Sequence, residues 1–526
     1  MTPACWSTRI AVALALLLGA GRLLTAADVE SDPDAIDPRE AMVTRIDALL
    51  DARLAESEWQ GAPQANDAEF LRRIYLDLTG VVPRVAEVRT FLADSSSDKR
   101  SRLIDRLLAS PAHATHLANT WRQIMLPGGL NLEQINNVVG VQNWLRSRFV
   151  ENTRYDNLVS ELLVATEGDE SGPALYYTSL DLTPEKLAGS TARIFLGLQI
   201  ECAECHDHPF DAWKQTDFWG YAAFFAQLER DENARGNRAL RISDSDAGEV
   251  RLPNTETVVL PQFPSGGQPG ADELGTRRMK LAIWMASRDN PYLAKAAVNR
   301  VWAQLFGRGL VEPVDDLGPH NLPSHPELFD ELTQYFVDTG FDLRGLYATI
   351  TRTAAYQRTS EWTGEPVPPA ELLARMPLKT LTADQLYDSL NRVLNRTPTG
   401  QGPGANSPVL DPQRQAFVAR LQTGGRSLLD YEAGVLQALT LLNGGDSAEA
   451  TDSQRSPLLG AIEAPWLEEE QKLETLFLAT LSRLPSSEER AFCLATLQTD
   501  SPGQQGKQLS NVLWALLNSA EFALNH

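Results

Sequence analysis

Residues 66–80 read NDAEFLRRIYLDLTG, and their apolar positions repeat at the spacing of one helix face. Asn66 or Asp67 can cap the start of this helix, because a side-chain oxygen there can accept a free backbone N–H. Gly80 can end it, since glycine accepts the left-handed backbone conformation common at helix ends. The apolar positions are Phe70, Leu71, Ile74 and Leu78. The sequence therefore predicts a helix whose apolar side packs against other elements.

Helical spacing continues through most of the chain. It predicts further helices near residues 85–92, 97–108, 111–121, 132–150, 155–165, 183–202, 216–228, 273–302, 326–339, 342–355 and 467–526, the last interrupted at Pro485. Ser97 and Thr183 are predicted caps, and Pro184 suits a first helical position. Residues 238–250 and 256–260 instead alternate in a β-type pattern. We expect a mainly α, multi-helical fold of two modules, residues 28–230 and 271–526, joined by a β-containing linker at 231–270.

The first 27 residues resemble an export signal. Arg9 gives a short positive region, residues 10–20 are apolar or small, and residues 25–27 are small enough for signal peptidase cleavage. The apolar run is shorter than the roughly 20 residues that span a bilayer, although an uncleaved anchor is the alternative. We expect the mature chain to begin near Asp28, in the periplasm or outside the cell, with no integral membrane segment after cleavage.

The composition of the 526-residue chain argues against nucleic-acid binding, binding to anionic lipid and a fold held by disulfides. Its formal net charge of −22 disfavours binding to nucleic acid and to anionic lipid, which are themselves negative. After signal cleavage only Cys202, Cys205 and Cys493 remain, too few for a fold held by disulfides. Cys493 lies in an apolar helical context and is predicted to be a buried free thiol.

Cys202 and Cys205 stand in the run Cys-Ala-Glu-Cys-His, which matches the attachment signature of c-type haem. Two thiols at this spacing can form thioether bonds to the two vinyl groups of the haem, and His206 then lies beneath the iron as proximal ligand. Because c-type haem is attached after export, the predicted signal peptide and the motif support each other. Haem c at Cys202, Cys205 and His206 is the leading prediction.

Three alternatives remain open for the same run. The thiols can form a dithiol/disulfide couple. The region can bind zinc or iron without haem, with His206, His208 and Asp211 as metal ligands beside the cysteines. It can also be a structural clasp. The charged residues Glu204 and Asp207 suit an apolar haem edge poorly.

The second axial ligand of a haem is not indicated by any pattern, and methionine or histidine can serve. The candidates are His113, His116, Met125, Met279, Met285, His320 and His325. His320 also belongs to the loop 315–321, which reads DDLGPHN. Its carboxylates and histidine could bind a cation or act in acid–base chemistry. The alternative, which we favour, is a solvated turn followed by a helix cap at Ser324.

Several separate motifs resemble one exported family, the planctomycete cytochrome-associated proteins built from two paired domains of unknown function. The motifs are FLRRIYLDLTG at 70–80, CAECHDHPFD at 202–211, YAAFF at 221–225, NRVW at 299–302, LFGRGL at 305–310, PSHPEL at 323–328 and LWALLNS at 513–519. The resemblance covers nearly all of the predicted mature chain and implies the domain pair, without a defined reaction. Related proteins can also carry a cytochrome c domain or a carbohydrate-binding-like insert, and neither is indicated here because the β-type region is short.

We therefore expect an exported redox protein with one covalent haem, acting in electron transfer or in haem-based oxidation linked to polymer breakdown. Its partner would be a redox protein or an extracellular polymer. The alternatives are a non-haem metal-binding protein or hydrolase-like module that uses the Cys/His/Asp cluster, and a structural or polysaccharide-binding scaffold. The sequence does not indicate whether the protein is an enzyme.

Overall fold

The computed structural model describes residues 37–126, 132–166, 172–209, 211–230, 242–270, 274–395, 411–421, 452, 456–464, 466–497 and 502–526. These residues are mainly helical, so the predicted multi-helical fold class is confirmed. None of the helices described is both long and apolar enough to cross a bilayer. The predicted signal peptide, residues 1–27, lies outside the described residues.

The first part of the chain is helical up to a short β region. Its helices are α1 (Pro38–Glu56), α2 (Asp67–Thr79), α3 (Val85–Ala93), α4 (Lys99–Leu108), α5 (Pro111–Met125), α6 (Leu132–Val150), α7 (Tyr155–Leu163), α8 (Pro173–Ser179), α9 (Pro184–Thr191) and α10 (Gln215–Ala222). A π-helical turn (Ala192–Leu196) and a 3₁₀ turn (Glu201–Glu204) lie between α9 and α10.

Among the described residues, three antiparallel strand pairs accompany the helices. The pairs are β1 (Leu228–Arg230) with β2 (Ile242–Asp244), β3 (Val250–Arg251) with β4 (Val258–Val259), and β5 (Lys379–Thr380) with β6 (Leu524–Asn525). In the first pair Leu228 lies opposite Asp244, and in the last pair Lys379 lies opposite Asn525. β2, the start of β3, and β4 lie where β-type alternation was predicted, whereas β1 lies before that region.

The later helices begin after residue 276. They are α11 (Arg277–Met285), α12 (Leu293–Phe306), α13 (Pro326–Asp338), α14 (Leu343–Arg352), α15 (Ala383–Val393), α16 (Pro412–Leu421), α17 (Pro457–Ile462), α18 (Glu469–Thr480), α19 (Ser487–Leu497), α20 (Pro502–Leu517) and α21 (Ala520–Ala523). A 3₁₀ turn (Ala370–Leu372) precedes β5.

Local sequence signals place many of these boundaries, and the differences include two boundaries and the burial of one thiol. Asn66 caps α2 by accepting the N–H groups of Ala68 and Glu69, and Gly80 ends it with φ 72°, as predicted. Asp98 rather than Ser97 is the N-cap position of α4. The helix predicted for 216–228 ends at Ala222, because turns follow and β1 begins at Leu228. The thiol of Cys493 is free as predicted but half-buried rather than buried.

Two large hydrophobic cores hold the described elements together, beside a small cluster of Leu54, Leu372 and Ala374. The larger core combines α1–α10 with α11–α14, so Trp121 of α5 and Trp302 of α12 belong to the same buried cluster. The smaller core combines α15–α21 with Leu76 and Val82 from the region of α2. The larger core thus spans the predicted linker at 231–270, while the smaller one begins near residue 381. The boundaries of the two predicted modules therefore do not coincide with the boundary between the two cores, and they stay a prediction.

Two buried arginines of α2 fasten distant parts of the chain. Arg72 donates to the backbone carbonyls of Thr480 (2.8 Å) and Phe522 (2.9 Å). Arg73 donates to the carbonyl of His526 across 3.1 Å. Both side chains are fully buried, so each backbone oxygen they reach is satisfied without water. These contacts fix α2 against the last elements described.

Asp77 is the centre of a second buried polar group on α2. Its carboxylate accepts hydrogen bonds from Lys379 (2.5 Å), Tyr356 (2.7 Å) and Asn525 (2.7 Å). The Asp77 side chain is 4 % exposed and that of Lys379 12 %. Burial lowers the pKa of Lys379, and the adjacent carboxylate opposes that shift. Asp77 therefore compensates a charge that could not otherwise be buried here.

His113 is a buried histidine between α5 and α2. Its Nδ1 donates to the carbonyl of Leu78 (2.8 Å), and its Nε2 is buried with no hydrogen-bond partner in the described chain. Burial lowers the pKa of His113 to about 4. Between about pH 4 and pH 6.5, the folded chain therefore keeps this imidazole neutral, whereas the unfolded chain binds a proton there.

This difference predicts a loss of stability in mild acid. The unfolded chain binds a proton at His113 below about pH 6.5, so the free energy of unfolding falls as pH falls from there to about 4. Between pH 7 and pH 5 the loss at this residue is about 2 kcal/mol. Urea unfolding at both pH values should show a smaller difference for His113→Asn, which cannot titrate. Equal acid sensitivity of the two proteins would contradict the assignment.

Candidate functional site

The predicted helix that runs into Cys202 ends earlier than the sequence pattern indicates. Thr183 and Pro184 open α9 as predicted, but α9 continues as a π-helical turn only to Leu196. Gly197 then adopts φ 65°, and its left-handed conformation ends the helix. The cysteines therefore lie on a separate 3₁₀ turn that begins at Glu201. Residues 201–206, which hold both thiols and His206, are called the Cys-His turn below.

The Cys-His turn presents both thiols to solvent. Cys202 and Cys205 are exposed and free, with no disulfide between them. Ala203 between them is fully buried, and its N–H donates to the carbonyl of Ile200 (2.9 Å). The turn is thus anchored through its small apolar residue while its reactive groups face outward.

Helix α10 holds the Cys-His turn and the adjoining Asp207 through hydrogen bonds. The indole N–H of Trp219 donates to the carbonyl of Glu204 (3.0 Å), and the side-chain amide of Gln215 donates to the carbonyl of Cys205 (2.9 Å). The backbone N–H of Gln215 donates to the carboxylate of Asp207 (2.9 Å). Sequence reasoning missed Trp219 and Gln215; the aromatic residues of this helix were a signal that could have indicated Trp219, and no pattern indicated Gln215.

His206 is exposed, and one of its ring nitrogens forms a hydrogen bond to the backbone. Nδ1 lies 2.8 Å from the carbonyl oxygen of Asp207. Because a carbonyl can only accept, Nδ1 carries the proton of this hydrogen bond. In the neutral ring, Nε2 then has a lone pair available. A backbone carbonyl on one nitrogen and a metal on the other is the usual arrangement of a ligating histidine.

The other predicted metal ligands, His208 and Asp211, have contacts outside the Cys-His turn. The backbone N–H of His208 donates to the carbonyl of Trp213 (2.8 Å), and His208 is half-buried. The carboxylate of Asp211 is 6 % exposed and lies 3.8 Å from Nδ1 of His320. Asp211 therefore joins the candidate site to the loop 315–321.

That loop is solvated only in part: Pro319 and His320 are exposed, as we favoured, whereas the prediction is wrong for Asp315 and Gly318, which are buried. Asp315 is 8 % exposed because it forms ion pairs with Arg193 (3.3 Å) and Arg300. The predicted cap at Ser324 is also wrong: the N-cap position of α13 is His325, and no side chain caps it. Sequence reasoning missed Arg193 and Arg300, although an arginine inside the apolar face of α12 signals a buried partner.

The side chains of the described ranges offer no ready-made metal site. No three of their His, Cys, Asp or Glu residues are grouped so that they could hold a metal ion. Zinc or iron at His206, His208 and Asp211 stays a prediction.

The candidates for a second axial ligand differ in position. Four are buried within the fold, namely His113, Met125, Met285 and His325. The ring of His116 lies against Gly80, and the sulfur of Met279 lies over Gly275. His320 is the candidate that contacts Asp211, and therefore the segment that carries the Cys-His turn.

Two family models match the chain in tandem. Residues 45–230, which include the Cys-His turn, match the model PSCyt2, described as a protein of unknown function (DUF1549). Residues 277–431, which include the loop 315–321, match the model PSD1, described as a protein of unknown function (DUF1553). No curated protein matches the chain, and no solved structure does. The chain therefore combines two domains of unknown function, here called the first and second matched domains.

Proposed function

We propose that this tandem of two domains is an exported redox protein that holds one c-type haem. Cys202 and Cys205 would supply the thioether bonds, and His206 would be the proximal ligand. The observation that carries the proposal is that two free exposed thiols and a histidine with an open Nε2 share one turn. The name of the first matched domain, PSCyt2, gives loose support for an association with cytochromes.

The residues of the turn suit a covalent haem. Thioether formation needs reduced, accessible thiols, and both cysteines meet that condition. The carbonyl of Asp207 orients His206 and leaves Nε2 for the iron. The half-buried rings of Trp213 and Trp219 lie on the same segment and offer apolar surface beside the turn. The carboxylate of Asp207 is bonded to the N–H of Gln215, which holds that charge in place.

In this proposal the haem carries the chemistry and the residues around the Cys-His turn hold it in position. When bound, the haem supplies one-electron chemistry. Gln215 and Trp219 hold the backbone of the turn, so the two sulfurs and the imidazole keep a fixed spacing. The role is electron transfer, or haem-based oxidation linked to polymer breakdown, with a redox protein or an extracellular polymer as partner. Location in the periplasm or outside the cell is part of the proposal, because haem c is attached after export.

An absorption spectrum tests the proposal. The full chain is produced with its N-terminal segment in a host that attaches c-type haem, and a Soret band that survives denaturation is expected. Cys202→Ser combined with Cys205→Ser should abolish covalent haem, whereas Cys493→Ser, which removes the third described thiol, should retain it. A colourless wild-type protein from a host that matures other c-type cytochromes would overturn the proposal.

The second candidate is a non-haem metal-binding protein. It is favoured by the same observation, since thiolates and an imidazole nitrogen on one turn are zinc and iron ligands. Metal analysis showing one zinc or iron per chain without haem would select it. A protein with neither metal nor haem would leave the thiol pair as a redox couple or as a clasp in a structural or polysaccharide-binding scaffold.

A further inference from the structure

We propose that the second matched domain positions the Cys-His turn by clamping the segment that carries it at both ends. The clamp is residues 315–320, called the clamp loop below, and it contacts Gly197 before the turn and Asp211 after it. His320 and Leu317 are its positioning residues. The inference rests on the proposed function for the purpose of the turn, while the contacts themselves do not depend on haem.

The first end of the segment is held at Gly197. The backbone N–H of Leu317 donates to the carbonyl of Gly197 across 2.7 Å. The Leu317 side chain lies over the same residue, so close that a Cβ on Gly197 would be 2.8 Å from it. Gly197 also needs its φ of 65°. Only glycine satisfies both the backbone conformation and the close approach without strain.

The second end is held at Asp211. Nδ1 of His320 lies 3.8 Å from the Asp211 carboxylate, a packing contact longer than a hydrogen bond, and Nε2 of the same ring donates to the carboxylate of Asp316 across 3.1 Å. The His320 ring therefore lies between carboxylates from the two matched domains. Gly318 brings these groups together, because a Cβ there would lie 2.5 Å from the ring and 3.0 Å from Asp211.

The clamp loop is itself anchored in the core. Asp315 is paired with Arg193, just before Gly197, and with Arg300 of α12. Arg300 also donates to the carbonyl of Ile194 (3.0 Å) in the π-helical turn. The side chains of Asp315 and Arg300 are 11 % and 6 % exposed, so removing either partner would leave a buried charge. A loop fastened in this way can serve as a fixed point.

The Cys-His turn therefore lies between two fixed points supplied by another domain. Its own contacts with α10 set its backbone, and the clamp sets where the whole segment lies relative to the second matched domain. A covalent site needs its groups within about 0.5 Å of the productive geometry, which a surface segment held at one end does not guarantee. In this arrangement the second matched domain fixes the position of the Cys-His turn of the first, which is a physical reason for the two domains to occur in tandem.

Hydrogen–deuterium exchange of the haem-free full chain tests the clamp. Gly318→Ala should displace His320 from Asp211, and peptides covering residues 198–211 should exchange roughly tenfold faster, with α2 peptides unchanged. Gly460→Ala is the matched control, since a Cβ there meets nothing within 4 Å. Unchanged exchange at 198–211 in Gly318→Ala would overturn the clamp.

A second pair of variants keeps the test independent of that substitution. His320→Ala should also accelerate exchange at 198–211, whereas His320→Gln, which retains a donor for Asp316, should restore most of the protection. Equal exchange in both variants would remove His320 from the clamp. If exchange responds as expected while the wild-type chain binds no haem, the proposed function fails and the clamp stands. If haem attaches and exchange does not respond, the reverse holds.

Discussion

Replacing Asp77 with alanine is expected to lower the free energy of unfolding by about 3–5 kcal/mol. The substitution removes the carboxylate that accepts hydrogen bonds from Lys379, Tyr356 and Asn525. The ammonium group of Lys379 would then be buried with only the backbone carbonyls of Gln304 and Leu305 as acceptors. A buried charge without its counter-charge is the most unfavourable outcome of a single substitution in such a group.

Urea unfolding of the full chain measures this loss. Asp330→Ala is the control, because its pair with Lys295 is exposed and should contribute less than about 1 kcal/mol. The double variant Asp77→Ala with Lys379→Met should recover part of the loss, since it removes the uncompensated charge. A loss at Asp77 no larger than that at Asp330 would show that the buried group does not hold α2 in place.

Arg278→Met is the second substitution with a large expected effect, again about 3–5 kcal/mol. Arg278 of α11 is fully buried and forms a bidentate pair with Asp244 of β2, at 2.8 and 2.7 Å. It also donates to the carbonyls of Leu163 and Ala165, both at 2.9 Å, and lies over the ring of Tyr177. Methionine fills similar volume but provides none of these hydrogen bonds, so the carboxylate and two carbonyls lose their partner.

The control for this prediction comes from the same β region. Arg251 pairs with Glu256 on the surface, where both side chains are more than half exposed, so Arg251→Met should change stability by less than about 1 kcal/mol. Urea unfolding followed by circular dichroism compares the two. If Arg278→Met is as stable as Arg251→Met, the link between β2 and the end of α7 has no energetic importance.

Much of the helical fold could be predicted because its signals are local. Asn66 and Gly80 delimit α2 through hydrogen bonds and dihedral angles within a few residues, and both were identified from the sequence. The burial of Arg72 and Arg73 could not be, because helical spacing identifies an apolar face and says nothing of which charged residues find distant partners. Apart from Glu69, which pairs with Arg73, their partners lie several hundred residues away in the chain.

The same distinction applies to the candidate site. Cys202, Cys205 and His206 are adjacent in sequence, so their shared turn followed from the motif alone. The helix predicted to reach them was too long. The apolar spacing continues past Gly197, but the helical backbone conformation ends there. The contact of His320 with Asp211 joins segments more than 100 residues apart, and no local pattern predicts it. Tertiary packing decides such contacts.

The hydrogen bond from Arg73 to His526 joins residues separated by 453 positions in the chain. During synthesis, α2 emerges long before the carbonyls that its buried arginines require. Until residues 480–526 have been made, Arg72 lacks the carbonyls of Thr480 and Phe522, and Arg73, which can already pair with Glu69, lacks that of His526, so α2 cannot complete its final contacts. We therefore expect α2 to reach its final packing only after nearly all of the chain has been synthesised, and the partly made chain to depend on chaperones more than a chain with local contacts.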